Sequence, residues 1–357
     1  MHIEALRQRL RAAGARPVHE ERVLRQWSRA EPQTNGRQRP EDFLPLSLRT
    51  ALPALEAELR ALAVLRADHA SADGSRRLLV GLADGRSVEA VLLPRGGLCV
   101  SSQVGCAVAC VFCMTGLGGL ERQLGSAEIV AQVALARSLR PVSKVVFMGM
   151  GEPAHNLDAV LEAIDLLGTG GGIGHKQLVL STVGDRRVFE RLPLGRVRPA
   201  LALSLHSSDA AMRARLLPHA PAIAPDELVA QGDAYARATR YPMQVQWTLL
   251  DGINDTADEI EGLVRLLAGK HAVLNLIPYN PVDGLAWARP AAERSAAMAR
   301  ELHRRGILTK LRQSAGQDVQ AGCGQLRARH ERDDKRRVGI TMHRRVAQVD
   351  GVLGGAS

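Results

Sequence analysis

Apolar residues in the first part of the chain follow the spacing of a helix face. Ile3, Leu6 and Leu10 are three and four residues apart, with polar residues between them. This spacing places the apolar side chains on one side of a helix and the polar ones on the other. We therefore predict an N-terminal helical accessory region over residues 1–60.

Two short apolar runs follow, over residues 77–82 and 88–93. Between them stands Asp84-Gly85, a dipeptide that favours the tight turn of a β-hairpin because glycine tolerates a positive φ. The change from helical spacing to paired short runs predicts a β-hairpin adaptor over residues 61–95.

Short apolar runs then alternate with stretches of helical spacing. Such runs are typical of strands that are covered on both faces, and their alternation with helices predicts a parallel sheet. Six units fall short of an eight-fold barrel, so we predict an α/β fold with an open, partial (βα)6 barrel over residues 96–326. A last strand at 307–311 would lie at the edge of this barrel. The six predicted strands are 98–104, 145–148, 178–181, 201–205, 245–250 and 274–277.

The charge of the chain favours an acidic partner. The 357 residues carry a formal net charge of +10, and five lysines among 47 basic residues leave 42 arginines. Nucleic acid is the first partner that such a charge suggests, although an arginine-rich composition explains the excess equally well. Residues 327–357 form a basic C-terminal tail.

The sequence contains neither a membrane span nor a secretion signal. No apolar run approaches the ~18–20 residues that a spanning helix needs, and the first residues lack the apolar stretch of a signal peptide. We expect a cytoplasmic protein with no membrane part. In a reducing compartment, its five cysteines indicate metal ligands or catalytic thiols instead of a disulfide framework.

Three of the cysteines lie within eight residues. Cys106, Cys110 and Cys113 follow the first predicted barrel strand, so their thiolates can reach one metal centre. Soft thiolate ligands suit zinc or an iron–sulfur cluster. Structural zinc needs four ligands, and no fourth cysteine or histidine stands nearby at zinc-finger spacing. Three ligands on a four-iron cluster would leave one iron open for a substrate.

Small polar residues end several other predicted strands. Ser181, Ser204 and Asn280 stand at such positions, which line the active face of a barrel. After the second strand, Gly151 lets the backbone approach a ligand closely, and the Glu152 carboxylate can accept hydrogen bonds from it. Each of these residues taken alone is more simply explained as a structural one.

Taken together, these motifs resemble a known family. The Cys-x3-Cys-x-Phe-Cys pattern is similar to that of the radical S-adenosylmethionine (SAM) superfamily. Several further motifs in the same order resemble the RlmN/Cfr family of RNA (adenine) methyltransferases, over residues 75 to 326. The motifs that carry this resemblance are 103–106, 113–116, 147–153, 204–206, 275–281 and 323–326.

The resemblance implies two cofactors and the residues that hold them. Cys106, Cys110 and Cys113 would hold a 4Fe–4S cluster, whose open iron is chelated by SAM, and two SAM molecules would be used per turnover. The SAM contacts implied by the matching positions are Gly151, Glu152, Ser181, Ser204, Leu205, His206 and Asn280.

The resemblance also implies roles for the other two cysteines. One SAM would methylate Cys323, and a radical from the second would remove a hydrogen from that methyl group. The carbon radical would add to the adenine ring, and Glu89 would take the ring proton. Cys99 would then attack Cys323, which releases the product and leaves a disulfide. From the residues alone, Cys99 is an inert strand thiol and Glu89 an exposed strand carboxylate.

The expected function is therefore methylation of an adenine ring carbon, with C2 favoured, in 23S rRNA or tRNA. A flavodoxin or ferredoxin would supply electrons, and we expect a monomer. Within this class, C8 methylation or another RNA target remains an alternative. From other classes, the chain could be a non-catalytic RNA-binding protein with zinc on its three cysteines, or a radical SAM enzyme that acts on a small molecule.

Overall fold

The computed structural model describes residues 1–35, 39–282 and 284–328. The helical spacing of the N-terminal region gives four helices before the first strand, and further helices alternate with the later strands. The helices are α1 (Ile3–Ala12), α2 (Pro17–Arg29), α3 (Pro40–Phe43), α4 (Leu46–Ala61), α5 (Ser126–Leu139), α6 (Leu157–Thr169), α7 (Arg186–Arg191), α8 (Ala210–Leu216), α9 (Pro225–Thr239), α10 (Ala257–Leu267) and α11 (Ala292–Arg304).

The strands form one large sheet and one small one. The large sheet has the order β1-β2-β3-β4-β7-β8-β9-β10-β11-β12, and β5 pairs with β6 separately. The strands are β1 (Val64–Ala70), β2 (Arg76–Gly81), β3 (Ser87–Leu93), β4 (Gly97–Cys99), β5 (Gln103–Gly105), β6 (Leu120–Gln123), β7 (Lys144–Phe147), β8 (Leu178–Thr182), β9 (Ala200–Ser204), β10 (Met243–Leu249), β11 (Ala272–Pro278) and β12 (Thr309–Leu311).

The large sheet contains the predicted partial barrel. From β4 to β12 all neighbouring strands are parallel, and helices connect them. Strand β12 is the expected last strand. Over the described ranges β1 and β12 end the sheet without pairing to each other, so the barrel is open. The prediction of an α/β fold with a (βα)6 barrel is confirmed.

The register of the strands separates a polar face of this sheet from an apolar one. Ser204 pairs with Gln246, and Gln246 pairs with Asn275, so these three polar side chains share one face. Val245 and Leu274, paired on the opposite face, are fully buried under the helices. We call the first surface the inner face. Following the register across the sheet, it also includes Glu89, Cys99, Lys144, Val146, Ser181 and Lys310.

The β-hairpin adaptor forms as predicted. Gly85 has a φ of +85° and donates its N–H to the Leu82 carbonyl at 3.0 Å, which closes the turn between β2 and β3. Strand β1 adds a third antiparallel strand, and β3 pairs with β4. The hairpin thereby extends the barrel sheet. The boundary at residues 61–95 stays a prediction, as do the other domain boundaries.

The first predicted barrel strand is wrong in one respect. The apolar run at 98–104 predicts one continuous strand, but the chain leaves the large sheet after Cys99 and enters the small one at Gln103. The amide of Gln132 takes the place of a strand partner at Ser101: its Oε1 accepts from the Ser101 N–H at 3.0 Å, and its Nε2 donates to the Ser101 carbonyl at 2.9 Å. With its backbone satisfied by a side chain, Ser101 can turn the chain.

The N-terminal helices dock on the barrel. Ile3 donates its N–H to Ser126 Oγ at 2.8 Å, and Arg137 donates to the Ser28 carbonyl at 2.7 Å, so both contacts tie the accessory region to α5. No helix in the described part is long and apolar enough to cross a membrane. The cytoplasmic location stays a prediction. The predicted basic tail, from residue 329 onward, lies outside the described residues.

Candidate active site

The loop that carries the three cysteines begins at a tight backbone crossing. Gly105, at the end of β5, has a φ of +76°, and a Cβ atom there would lie 2.0 Å from the Gly119 carbonyl oxygen. The Cys106 N–H donates to that same oxygen at 3.0 Å. Only glycine fits this position, and the crossing fixes where the loop leaves the sheet.

Distant parts of the chain hold the rest of this loop. The Val111 N–H donates to the Leu216 carbonyl at 3.1 Å, and the Trp287 Nε1–H donates to the Val111 carbonyl at 3.0 Å. The Met114 N–H donates to the Gly324 carbonyl at 2.7 Å. Elements from the later half of the barrel therefore position the cysteine loop, which explains how a loop without regular structure holds a defined shape.

The three thiols are half-buried and close enough to affect one another. Burial raises the pKa of Cys106 to about 12, and the charge of Cys113 adds to this. Burial also raises the pKa of Cys110, as do the charges of Cys113 and Cys106. Three neighbouring thiolates are stable only beside compensating positive charge, which iron supplies. This donor set fits an iron–sulfur cluster.

The sulfur atoms do not surround a single-ion position. In the residues that the structure describes, no three His, Cys, Asp or Glu side chains are grouped so as to hold one metal ion. Ligands of a four-iron cluster each bind a different iron, so they do not need to converge on a point. The assignment of Cys106, Cys110 and Cys113 as cluster ligands stays a prediction.

Glu152 is buried beside the cysteine loop and points between two strands. Its carboxylate accepts from the N–H groups of Ala154 and Val183, each at 3.0 Å. Burial raises its pKa, although these hydrogen bonds oppose the shift. Gly151 before it has a φ of +104°, and a Cβ there would lie 2.6 Å from the Gln103 side chain. Glu152 thus provides a carboxylate acceptor in a fixed position, and Gly151 keeps the backbone close to it. Binding of a cationic amine requires such an acceptor.

The polar strand ends meet as the sequence predicts. Ser181 Oγ and Ser204 Oγ are 3.5 Å apart on the inner face. His206 is buried at a φ of +63°, and its Nδ1 accepts from the Thr248 N–H at 3.0 Å. Burial lowers the pKa of His206 to about 3, so its ring is neutral. The Leu205 side chain is fully buried, which leaves only its backbone to face a ligand.

Asn280 links the predicted SAM site to the segment that carries Cys323. Its Nδ2 donates to Ser314 Oγ at 2.8 Å and to the Cys323 carbonyl at 3.0 Å. Its Oδ1 is buried and has no hydrogen-bond partner among the described residues. A buried acceptor without a partner is costly, and a ligand hydroxyl or amine would satisfy it.

The structure brings Cys99 and Cys323 together, both as free thiols. Burial raises the pKa of Cys99 to about 12, and the charge of Cys323 adds to the rise, so the two sulfur atoms are near each other. Cys323 is open to solvent, yet the surrounding protein still raises its pKa, against a hydrogen bond from Ser314 and the charge of Arg312. Cys323 is thus accessible from solvent in surroundings that disfavour its thiolate form.

Glu89 differs from the exposed carboxylate that its strand position suggests. It is only 1% exposed and forms an ion pair with Arg77. It also accepts from the Arg327 N–H at 2.7 Å, four residues after Cys323. Val91 pairs with Cys99, so Glu89 lies on the same inner face as Cys99, two residues along β3. Its predicted role as a base stays a prediction.

Sequence reasoning missed Arg213 on α8. This side chain is 4% exposed and donates to the Val183 carbonyl, beside the Glu152 carboxylate. Burial lowers its pKa to about 10, while the charges of Cys110 and Glu152 oppose this shift. A buried cation thus faces the cysteine loop. Nothing in the sequence separates Arg213 from the other arginines around it, since only the fold reveals its burial.

Comparison with known proteins decides the family. The model of the radical SAM superfamily matches residues 100–267, a range that holds the cysteine loop, Glu152 and the polar strand ends. A protein named "Probable RNA methyltransferase" from Methylibium petroleiphilum is 72% identical over 329 residues, 92% of this chain and 93% of its own length. The chain belongs to the radical SAM superfamily.

Other relatives agree with this radical SAM assignment. A "Probable RNA methyltransferase" from Azoarcus sp. is 68% identical and covers 94% of this chain and 97% of its own. The crystal structure of a radical SAM methyltransferase from Sphaerobacter thermophilus matches with a TM-score of 0.79 and 32% identity, over 92% of this chain and 98% of that one. The prediction of a SAM-dependent radical methyltransferase is confirmed, and membership implies a 4Fe–4S cluster and SAM.

Proposed function

We propose that this protein methylates a ring carbon of adenine in RNA, C2 being favoured, as an enzyme of the RlmN/Cfr type. One observation carries the proposal: the segment that carries Cys323 is bonded to Glu89, which shares a strand face with Cys99, and to the cysteine loop through Met114 and Gly324. A superfamily member that only cleaves SAM needs no such pair of thiols. RNA as the substrate is supported by the names of the relatives and by the net charge of +10.

In this proposal, Cys323 carries the methyl group. The Cys323 thiol gives its proton to solvent, and the thiolate attacks the methyl group of SAM. A bond forms between the Cys323 sulfur and the methyl carbon, the bond from that carbon to the sulfonium sulfur breaks, and S-adenosylhomocysteine leaves. Cys106, Cys110 and Cys113 would hold the 4Fe–4S cluster, which when bound would supply the electron for reductive cleavage of a second SAM. Cys323 is exposed to solvent, and the charge of Arg312 favours its thiolate form.

Glu89 and Cys99 would complete the reaction from the inner face. Glu89 takes the ring proton, and the ion pair with Arg77 fixes the position of its carboxylate. After the radical adduct has lost one electron and the ring proton, the Cys99 sulfur attacks the Cys323 sulfur. The disulfide forms as the carbon–sulfur bond breaks, and the carbon leaves with the electron pair and takes up a proton to become the methyl group. Burial raises the pKa of the Cys99 thiol, so it stays protonated until this step, at which it gives up its proton as it attacks.

The remaining parts of the proposal follow from this chemistry. SAM contacts come from Gly151, Glu152, Ser181, Ser204 and Asn280, with His206 and the Leu205 backbone beside them. Two SAM molecules are used per turnover, and a flavodoxin or ferredoxin supplies the electron. The enzyme acts as a cytoplasmic monomer on 23S rRNA or tRNA.

The test is an anaerobic assay of the reconstituted enzyme with SAM, reductant and separate pools of 23S rRNA and tRNA. Digested RNA is compared by mass spectrometry with 2-methyladenosine and 8-methyladenosine standards. We expect 2-methyladenosine together with 5′-deoxyadenosine, and no methylated RNA from Cys323→Ala. Formation of 5′-deoxyadenosine without RNA methylation would show that the substrate belongs to a class other than RNA. Purified protein that contains zinc but no iron or sulfide would contradict the proposal that it is a radical SAM enzyme.

A further inference from the structure

Three basic side chains share the inner face near the open edge of the barrel. Lys310 on β12 pairs with Asn275, which places it on this face. Arg312 follows two residues later and donates to Asn275 Oδ1 at 3.3 Å. Lys144 begins β7, two residues before Val146, the partner of Cys99. All three side chains therefore point to the side on which the reaction is proposed to occur.

The charges of Lys310 and Arg312 act on Lys144 although their strands are far apart in the sheet. Strands β7 and β12 are separated by four others, so a flat sheet would hold them roughly 24 Å apart. Charges at that distance would be screened. Burial lowers the pKa of Lys144, and the charges of Arg312 and Lys310 lower it further. The curvature of the sheet thus brings Lys144 opposite the other two across the open barrel.

Asn275 adds a buried donor to these cations. It is 1% exposed, and its Oδ1 is used by Arg312, which fixes the orientation of the amide. Its Nδ2 has no hydrogen-bond partner in the described chain. A buried N–H group without an acceptor is rare and points to a missing one.

No carboxylate among the described residues forms an ion pair with this group. Over the described residues, Lys144, Lys310 and Arg312 form no ion pair with a carboxylate. The inner-face carboxylate of Glu89 is already paired with Arg77. Lys310 and Arg312 are exposed, so a ligand can reach them from solvent. Three cations and a free amide donor, without an acceptor, form a site for an anion.

We infer that Lys144, Lys310, Arg312 and Asn275 bind one phosphodiester group of the RNA, inside the open side of the barrel. The inference rests on the proposed function, in which the substrate is RNA. Arg312 also acts on the Cys323 thiol, so the phosphate lies beside the nucleotide that is methylated. This contact would hold the backbone while the base turns toward Cys323.

The test measures binding of a fluorescent single-stranded RNA, rich in adenosine, to the reconstituted enzyme without reductant. Loss of one phosphate contact lowers the slope of log affinity against log salt by about 0.7, which is about fivefold in affinity for a tenfold change of salt. We expect the slope to fall by this amount in Lys144→Gln and in Arg312→Gln. We expect a larger decrease of the slope in Asn275→Asp, because this substitution places a carboxylate in the site. Arg312→Lys keeps the positive charge and should therefore leave the slope of log affinity against log salt unchanged.

Lys176→Gln is the matched control, because this exposed lysine lies before β8, outside the strands that form the inner face, and changes the net charge equally. If the slope of log RNA affinity against log salt is unchanged in the three variants Lys144→Gln, Arg312→Gln and Asn275→Asp, the inference is overturned. Variants that bind SAM more weakly but bind RNA as the wild type does would overturn it as well. If the wild-type enzyme does not bind RNA, the proposed function fails instead. Inorganic phosphate, followed by 31P line broadening, then tests the site alone, and equal broadening in wild type and Asn275→Asp would overturn it.

Discussion

The Cys323 segment, residues 321–328, is held on the cysteine loop by a hydrogen bond that one substitution removes. Thr115 is 6% exposed, and its Oγ1–H donates to the Leu326 carbonyl at 2.6 Å. Thr115→Val keeps the shape of the side chain but leaves that carbonyl without a donor. An unsatisfied buried carbonyl costs about 1–3 kcal/mol. Since each 1.4 kcal/mol is a factor of ten, release of the segment should become about 5- to 140-fold more frequent.

Amide hydrogen exchange measures this release directly. The Arg327 N–H donates to Glu89 and the Met114 N–H to Gly324, so both should exchange faster by that factor in Thr115→Val. Thr50→Val is the control, because Thr50 makes a similar bond to the Leu46 carbonyl on the exposed side of α4. Equal exchange at Arg327 in wild type and Thr115→Val would show that the segment is held by other contacts and would refute this reasoning.

Three further predictions concern the cysteine loop and the turn that faces the Cys323 segment. Gly105→Ala should prevent cluster loading, because its Cβ would strike the Gly119 carbonyl; normal iron and sulfide content would contradict this. Burial alone would raise the pKa of Asp73, but hydrogen bonds, one from the Gly316 N–H, hold it below the usual value. A depressed folded pKa means that its stabilisation is present above about pH 3.9 and is lost as the pH falls, so the melting temperature should drop less on acidification in Asp73→Asn than in wild type. Cys110→Ala should abolish SAM cleavage while thermal unfolding stays cooperative, because the loop lies outside the sheet; loss of cooperative unfolding would make the site structural.

The sequence predicts the barrel well because its signals are local. Each strand is a short apolar run, and each helix repeats its own spacing, so the order of elements follows from neighbours along the chain. The cysteine spacing likewise lies within eight residues. The polar strand ends at Ser181 and Ser204 meet because parallel strands end at the same edge.

Features that depend on distant partners could not be predicted in this way. The chain turns at Ser101 because Gln132, 31 residues later, satisfies its backbone. Glu89 is buried because Arg77 pairs with it across the hairpin and the Arg327 N–H reaches it from the far end of the chain. An alternating strand pattern gives no sign of either partner. The burial of Arg213 has the same origin, since α8 turns this residue toward the cysteine loop.

The central claim is that RNA is joined covalently to Cys323 and freed by Cys99, and one variant tests it directly. Cys99→Ala is incubated anaerobically with SAM, reductant and RNA, then separated on a denaturing gel, and the RNA-bound peptide is mapped by mass spectrometry. The account predicts an adduct through Cys323 that accumulates in Cys99→Ala and is absent when Cys323→Ala is added. Normal turnover by Cys99→Ala, with no adduct, would contradict it.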